Sequence, residues 1–369
     1  MKGYPLVTKK QVRKNANLRQ IQKAYKKQHK HPKGRFPKAR LSKLVVLRSE
    51  NNFYDLSNKQ VIKKAPERLT IEALLLEIGE KGINGLSGSG FPTARKMRTV
   101  LEARGREKVL IINGVACDPG LLHDDWLVKN KLKQIEQAVT LLNKCIGFSK
   151  ILLATREKVE SKSCEVCLVP NKYPMGEEKI LIKYLLGKSF EQDEIPAEKG
   201  ILVLNIQTIY AIYEAIFEGI VGNTKLITIA DLSGGEAVLA RVNIGDKVMD
   251  ILDQTIGRQP KLLPYVGEGI MMGKKAEEED EITLSTNFIG YGIATNYEDA
   301  KKCRGCGVCS RKCPMGIRVN RIIKAMENEN HAEIKQYQPE ACIQCGACTY
   351  YCEAGKNTMG LVEEAKAFC

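Results

Sequence analysis

Two cysteine runs near the C-terminus constrain the fold of this chain more than any other feature. The first reads "CRGCGVCSRKCP" from Cys303 to Pro314, and the second reads "CIQCGACTYYCE" from Cys342 to Glu353. Both space four cysteines as C-x₂-C-x₂-C-x₃-C. The two runs therefore hold eight of the 13 cysteines, which favours metal or redox chemistry over a disulfide framework.

This spacing predicts two [4Fe–4S] clusters that exchange their fourth ligands. A tight loop places three thiolates at one cluster, and the fourth cysteine of the run reaches the other cluster. The alternative is a pair of four-thiolate zinc sites, but zinc usually takes two distant C-x₂₋₄-C pairs. The module resembles the bacterial two-cluster ferredoxin domain, although Glu353 stands where such domains commonly have proline. The predicted ligands are Cys303, Cys306, Cys309 and Cys352 for the first cluster, and Cys342, Cys345, Cys348 and Cys313 for the second.

The positive charge of the chain is concentrated at its N-terminus. Residues 1–40 contain ten lysines, four arginines and no acidic residue, so they carry 14 of the 15 net positive charges. We predict a flexible or partner-bound basic arm over residues 1–60. An acidic protein partner, an anionic membrane surface and a merely solubilising role are the alternatives, while nucleic acid is unlikely because the rest of the chain has no nucleic-acid-binding signature.

The length and hydropathy of the chain indicate several domains and a cytoplasmic location. A chain of 369 residues suits two or three domains. No apolar run approaches the roughly 20 residues that span a bilayer, and the N-terminus lacks the apolar centre of a secretory signal. Peripheral attachment at the cytoplasmic face of a membrane remains open.

A glycine-rich segment, "KGINGLSGSGFPTARKM" from Lys81 to Met97, is a candidate phosphate-binding loop. Four glycines allow backbone amides to approach a phosphate, and Lys96 on the following helix adds positive charge. By itself the loop is weak evidence, because a tight turn between two elements explains the same glycines. The glycines are Gly82, Gly85, Gly88 and Gly90.

The segments that follow favour an α/β domain with a nucleotide or flavin site. An apolar strand over residues 109–112 ends at Asn113, and another over residues 201–204 ends at Asn205 before a helix. In parallel α/β sheets, ligands bind at the carboxyl ends of the strands. The sequence therefore places polar groups where such a sheet would bind its ligand.

Taken in order, these segments resemble the C subunit of Rnf-type electron-transport complexes and, more distantly, the NADH-oxidising flavoprotein subunit of respiratory complex I. The resemblance runs from about Thr70 to Phe368. It rests on "GLSGSGFPT", "LIINGVACDP", "YPMGEEKILI", "NIQTIYAIYEAI", "GEGIMMG", "TNFI" and both cysteine runs.

The resemblance implies FMN and NAD(H) as cofactors in addition to the clusters. It implies FMN-phosphate and NADH contacts at the glycine-rich loop, flavin contacts at two strand ends, and a catalytic acidic pair, Glu177 and Glu178. The other implied cofactor-binding residues are Gly85, Gly88, Gly90, Phe91, Lys96, Asn113, Asp118, Asn205 and Thr208. Ser87, Ser89 and Ala116 depart from the family pattern, because the family usually has Gly, Ala and Glu there.

The resemblance also predicts the domain order. We expect a Rossmann-like FMN/NADH domain over residues 61–223, a small β-grasp domain of the soluble-ligand-binding type (SLBB) over residues 224–295, and the two-cluster ferredoxin-like domain over residues 296–369. The pair Cys164 and Cys167 supplies only half a tetrahedral site, so we expect packed or partly exposed thiols there, with a redox pair as the alternative.

The predicted function is that of an electron-input subunit, an NADH-dependent oxidoreductase. It would oxidise NADH through FMN and pass electrons through the two clusters to a partner reductase or an Rnf-type complex. The alternative from another class is a flavin-free electron-transfer adaptor that docks between other redox subunits, and Ala116, Ser87 and Ser89 favour it.

Overall fold

The structure is a computed structural model of the chain. It describes residues 45–46, 53–59, 61, 69–88, 90–103, 107–116, 118–191, 193–232, 236–256, 264–291 and 302–369. Most of the predicted basic arm, including residues 1–44, and Ser89 of the glycine-rich loop lie outside these residues.

Eleven strands and eleven α-helices are described. The strands are β1 (Val45–Val46), β2 (Phe53–Asp55), β3 (Val109–Gly114), β4 (Lys150–Thr155), β5 (Glu165–Leu168), β6 (Ile201–Asn205), β7 (Thr224–Asp231), β8 (Glu236–Asn243), β9 (Tyr265–Gly267), β10 (Lys274–Lys275) and β11 (Phe288–Tyr291). The helices are α1 (Ile71–Glu80), α2 (Thr93–Glu102), α3 (His123–Asn130), α4 (Leu132–Ile146), α5 (Glu178–Leu186), α6 (Ile206–Glu218), α7 (Val248–Ile256), α8 (Val308–Lys312), α9 (Val319–Glu327), α10 (Ala347–Tyr350) and α11 (Thr358–Ala365).

The first sheet is parallel and has the strand order β5-β4-β3-β6. All residues of β3 and β6 are buried, as expected for parallel strands covered by helices on both faces. The register pairs Asn113 with Asn205, so both asparagines lie at one carboxyl-terminal edge. This confirms the predicted α/β fold with a parallel sheet.

The second sheet is mixed, with the order β1-β8-β7-β11-β9-β10, and β2 also pairs with β8. Strands β7 and β8 form an antiparallel pair, and β11 runs parallel to β7. Helix α7 lies between β8 and β9 in sequence, and its Val248, Ile251 and Leu252 join the apolar core of this sheet. Strands β1 and β2 come from the range that the sequence assigned to the basic arm.

The C-terminal part holds both cysteine runs on short helices. Its apolar core combines Cys309 and Cys348 with α9 and α11, through residues such as Ile322, Ile323 and Val362. Among the described residues, no helix is both long and apolar enough to cross a membrane.

The second cysteine run packs into the body of the protein. Ala347 and Tyr350 belong to the same apolar core as Ile270, Met271 and Phe288. A Cβ on Gly346 would lie 2.1 Å from the backbone oxygen of Met271, so this approach requires glycine. The second run is therefore fixed against the segment between β9 and β10.

Candidate functional site

The glycine-rich loop closes on itself through backbone hydrogen bonds. The amide of Gly85 donates to the carbonyl of Phe91 at 2.9 Å, and the amide of Gly90 donates to the carbonyl of Gly85 at 3.2 Å. Gly88 and Gly90 have φ values of +130° and +60°, which residues with a Cβ adopt rarely. Leu86 also donates its amide to Thr208 Oγ1 at 3.1 Å. Thr208 thus anchors the loop to helix α6.

The loop leads directly into the open N-terminus of helix α2. Its N-cap is Pro92, which makes no side-chain capping bond. The hydroxyl of Thr93 is buried and has no hydrogen-bond partner within the described part of the chain. An uncapped helix N-terminus with an unsatisfied hydroxyl suits an anionic oxygen, because free amides and the helix dipole favour negative charge there. The residues present therefore fit a phosphate group.

Lys96, one turn into α2, points toward the carboxyl edge of the parallel sheet. Its Nζ lies 3.0 and 3.1 Å from the carboxylate oxygens of Glu178 and 2.9 Å from the carbonyl oxygen of Val203. Both side chains of the pair remain partly exposed. The predicted cation and one predicted acid are thus in direct contact.

The two acids of the predicted catalytic pair occupy different environments. Glu177 is the N-cap of α5, and its carboxylate accepts the amide of Ile180 at 2.8 Å. Glu178 is the first residue of the helix and pairs with Lys96. The dipole at the helix start stabilises both negative charges. Of the two acids, Glu178 is the one that contacts another predicted site residue, Lys96.

The asparagines at the sheet edge are buried and hydrogen-bonded to the protein. Asn113 Nδ2 donates to the carbonyl of Gly176 at 2.8 Å, which ties β3 to the segment before α5. Asn205 caps helix α6 by accepting the amide of Gln207 at 2.8 Å. Its Nδ2 lies 3.3 Å from Asp124 Oδ2. Both residues shape the floor of the site.

Asp118 fastens the loop after β3 to the segment after β9. Its carboxylate is buried and accepts the amide of Met271 at 3.0 Å. Burial raises the pKa of Asp118 to about 8, aided by the neighbouring Glu268 and opposed by hydrogen bonds from backbone amides such as that of Met271. The predicted flavin contact thus also joins two parts of the fold.

This raised pKa predicts a pH-dependent stability. The folded chain keeps a proton on Asp118 that the unfolded chain loses near its ordinary pKa of 3.8, so the contribution of Asp118 to stability falls as pH rises from about 4 to about 8. As the pH rises from about 5 to about 9, the free energy of unfolding of the unmodified chain should fall by about 4 kcal/mol more than that of Asp118→Asn. Denaturant unfolding at both pH values measures this. The control is Asp253→Asn, at an exposed aspartate, whose free energy of unfolding should change with pH as that of the unmodified chain does. An equal pH dependence in all three proteins would contradict a raised pKa at Asp118.

Sequence reasoning missed two ionisable side chains beside the loop that interact electrostatically, the half-buried Glu268 and the buried Lys225. A Cβ on Gly88 would lie 2.7 Å from the Glu268 carboxylate, so this side chain covers one face of the loop. Burial lowers the pKa of Lys225 to about 7, against the opposing effect of Glu268. Burial also raises the pKa of Glu268. Glu268 is the acidic residue of the quoted segment "GEGIMMG", and this acid was the sequence signal that could have pointed to it.

Cys164, just before strand β5, and Cys167, within it, are partly exposed thiols. Cys164 Sγ lies 3.1 Å from Ser161 Oγ, and burial raises the pKa of both thiols.

Each of two groups of cysteines combines residues from both runs. Cys352 of the second run lines the same cavity as Cys303, Cys306 and Cys309 of the first. In the other direction, Cys313 lies close enough to Cys342, Cys345 and Cys348 to interact with them electrostatically. Burial raises the pKa of Cys309 and of Cys345 to about 12, so a bound metal must displace their protons.

Backbone amides approach several of these sulfurs. Gly305 donates to Cys303 Sγ, Gln344 donates to Cys342 Sγ, and Lys356 donates to Cys352 Sγ, each at 3.4 Å. Such bonds stabilise the negative charge of a thiolate-bound cluster. The donor set, two groups of four thiols with amides aimed at them, fits iron–sulfur clusters.

Two regions of the chain match models of known protein families. Residues 78–214 match the family "Nuo51 FMN-binding domain", and residues 295–353 match the family "4Fe-4S dicluster domain". The C subunit of the ion-translocating oxidoreductase complex of Buchnera aphidicola (strain APS) is 28% identical over 314 residues, which cover 80% of this chain. The corresponding protein of Vibrio cholerae (strain O395) is 29% identical over 68% of this chain.

This chain is similar in sequence to the C subunits of ion-translocating oxidoreductase complexes. The resemblance predicted from the motifs is thereby confirmed. The match spans only 64% of the Buchnera protein and 34% of the Vibrio protein. Among solved structures, an NAD⁺-reducing [NiFe]-hydrogenase in the air-oxidised state is similar, with a TM-score of 0.54 and 16% identity over 78% of this chain and 60% of that one. This likeness concerns the fold.

Proposed function

We propose that the chain is an electron-input subunit that oxidises NADH at an FMN site and passes single electrons through two [4Fe–4S] clusters to a partner. One observation carries the proposal, namely the direct contact between the sheet-edge site and the second cysteine run. Tyr173 Oη, four residues before Glu177, donates a hydrogen bond to the backbone carbonyl of Cys345. A redox group at the sheet edge would therefore lie beside a cluster ligand.

The residues of the glycine-rich loop would bind the FMN phosphate. The N-terminus of α2, Thr93 and Lys96 supply amides, a hydroxyl and a positive charge, while Glu178 holds the lysine at the sheet edge. FMN, when bound, accepts two electrons as hydride and releases them singly. Asn113, Asp118, Asn205 and Thr208 would keep the floor of the site rigid, since each already has a hydrogen bond inside the protein.

NADH would bind on the open side of the same loop. The ring of Phe91 is 41% exposed there, and the guanidinium of Arg95 lies 5.6 Å from its centre. An exposed aromatic ring next to a cation suits an adenine and its phosphates. Glu177 and Glu178 would contribute carboxylates for ribose hydroxyls or for orienting the ring.

The remaining domain assignments belong to this proposal. The strand order β8-β7-β11-β9, with β7 parallel to β11 and α7 between the hairpin and the last strands, supports a β-grasp domain of the SLBB type over residues 224–295. That domain would hold the flavin domain, residues 61–223, and the ferredoxin-like domain, residues 296–369, at a fixed distance and orientation.

Other redox subunits would be the partners, at the periphery of a membrane complex or in a soluble reductase. The basic arm 1–60 would bind an acidic partner or an anionic lipid surface.

A second candidate, the flavin-free adaptor, is favoured by the position of Glu268. Its carboxylate covers Gly88, which places negative charge next to the loop proposed for phosphate. Ala116 also favours the flavin-free adaptor, because it stands where the family usually has an acidic residue. In that function the α/β domain docks other subunits and the clusters receive their electrons from one of them.

Lys96→Met tests the phosphate site. Loss of the charge is expected to weaken FMN binding roughly 10- to 100-fold, because hydrogen bonds to charged groups contribute about 1.5–3 kcal/mol. Titration of the flavin-depleted protein with FMN measures it. Lys129→Met removes a comparable ion pair with Glu157 at 2.9 Å and should leave the affinity unchanged. Equal affinities in the two variants would contradict the assignment of Lys96.

Steady-state NADH oxidation tests the function as a whole. The reconstituted protein should reduce ferricyanide, an artificial one-electron acceptor, with NADH as donor and only after FMN has been added. NADH oxidation that does not depend on FMN, or none at all in a protein that binds FMN and holds its iron, would contradict the proposal. Intact clusters without FMN binding would favour the adaptor.

A further inference from the structure

Positive charge is unevenly distributed in the iron–sulfur domain. Residues 302–326, which contain the first cysteine run and most of α9, hold seven lysines and arginines and no acidic residue. Residues 327–369, which contain the second run, hold seven acidic residues and three lysines. The two halves of one small domain therefore carry opposite net charge.

Six of these seven cations are exposed, and they form what we call the basic face. Ser310 Oγ on α8 donates to Asn320 Oδ1 on α9 at 2.6 Å, so the ligand loop and α9 form one continuous surface. Arg304 and Ile323 line the cavity of the first cluster, and Arg311 donates to the carbonyl of Cys306 at 3.0 Å. The basic face consists of Lys302, Arg304, Arg311, Arg318, Arg321 and Lys324.

The first cluster is also the accessible one. Cys306 is exposed, as are Arg304 and Gly305 beside it. In the second run, by contrast, Gly346 and Cys348 are buried, and Cys345 receives a hydrogen bond from Tyr173. One cluster site therefore faces the sheet-edge site and the other faces solvent.

Two acids that follow the basic face in the chain, Glu327 and Glu333, have partners inside the domain. Glu327 pairs with Lys356 at 2.9 Å and accepts the amide of Cys303 at 3.0 Å. Glu333 accepts the hydroxyl of Tyr337 at 3.2 Å, and Tyr337 itself lies near Arg318 and Arg321. The charge presented around Cys306 therefore remains positive.

We propose that the basic face is the docking surface for an acidic one-electron redox protein, which exchanges electrons with the first cluster at Cys306. The inference rests on the proposed two-cluster relay and adds to it the exchange site and the charge of the partner. In each exchange one electron leaves a reduced cluster and reduces one ferric iron of the partner, with no bond made or broken. Complementary charge would steer the encounter and raise its rate at low ionic strength.

The test uses the full-length protein with both clusters reconstituted and photoreduced by deazaflavin and EDTA, which bypasses NADH and FMN. Stopped-flow mixing then measures electron transfer to an acidic [2Fe–2S] ferredoxin and to a basic c-type cytochrome, at low and at high salt. The variants are Arg304→Glu and Arg321→Glu, of which the second does not line the cavity. Lys144→Glu, an exposed lysine on α4, makes the same change of net charge elsewhere.

At low salt we expect both arginine variants to transfer electrons to the ferredoxin about tenfold more slowly than Lys144→Glu. The difference should vanish at high salt, and the rate to the basic cytochrome should rise. Iron analysis identifies any variant that has lost its clusters, in which case the other arginine variant decides. Equal rates for the arginine variants and Lys144→Glu would overturn the proposal. A failure of NADH to reduce the protein would refute the proposed function and leave this result intact.

Discussion

The double variant Cys303→Ala/Cys352→Ala is expected to retain about half of the iron, roughly four of eight atoms. Cys303 and Cys352 come from different runs but line one cavity, so both substitutions strike the same cluster. The second cluster keeps Cys342, Cys345, Cys348 and Cys313. Iron and sulfide analysis after anaerobic reconstitution, with electron paramagnetic resonance of the reduced protein, measures the number of clusters that remain.

The matched control is the double variant Cys342→Ala/Cys352→Ala. Its two cysteines come from the same run, and with exchanged ligands they belong to different clusters, so both clusters should be lost or degraded. If each run held its own cluster, the two results would be reversed. That reversal would contradict the exchanged arrangement on which the relay is built.

Gly346→Ala is expected to detach the second cysteine run from the body of the protein, at a cost of roughly 2–5 kcal/mol. A Cβ would lie 2.1 Å from the carbonyl oxygen of Met271, and φ at this position is +69°. Overpacking typically costs about 1–3 kcal/mol and left-handed backbone about 1–2 kcal/mol more. Thermal unfolding measures the stability, and NADH-driven cluster reduction should slow with it.

Gly316→Ala separates the two causes. Gly316 has a similar φ of +72°, but nothing lies within 4 Å of its added Cβ. We expect this variant to lose only the backbone part, about 1–2 kcal/mol, with normal cluster reduction. A loss of stability as large as that of Gly346→Ala would mean that the contact with Met271 contributes little.

The parts of the site that follow from local rules could be predicted from the sequence. Cysteine spacing determines which thiols can reach one cluster, and the exchange of Cys313 and Cys352 follows from it. Parallel strands end at a common edge, so the residues after two apolar runs, Asn113 and Asn205, were expected there together. Both depend on short-range geometry that a pattern records.

The contacts made across the fold could not be predicted in this way. Lys225 lies on a strand and Glu268 follows β9, and only tertiary packing brings Glu268 against Gly88. The approach of Gly346 to Met271 likewise joins positions 75 residues apart in the chain. Glu177 and Glu178 look equivalent in sequence, yet the start of α5 makes one a helix cap and gives the other to Lys96.

Anaerobic reduction by NADH, followed by visible and electron paramagnetic resonance spectra, tests the central claim most directly. The protein reconstituted with FMN and iron should show bleaching of the flavin and, after it, the signals of reduced clusters, with both changes lost when FMN is omitted. Intact clusters that dithionite reduces but NADH does not, in protein that holds FMN, would contradict the claim that this chain connects NADH to its clusters.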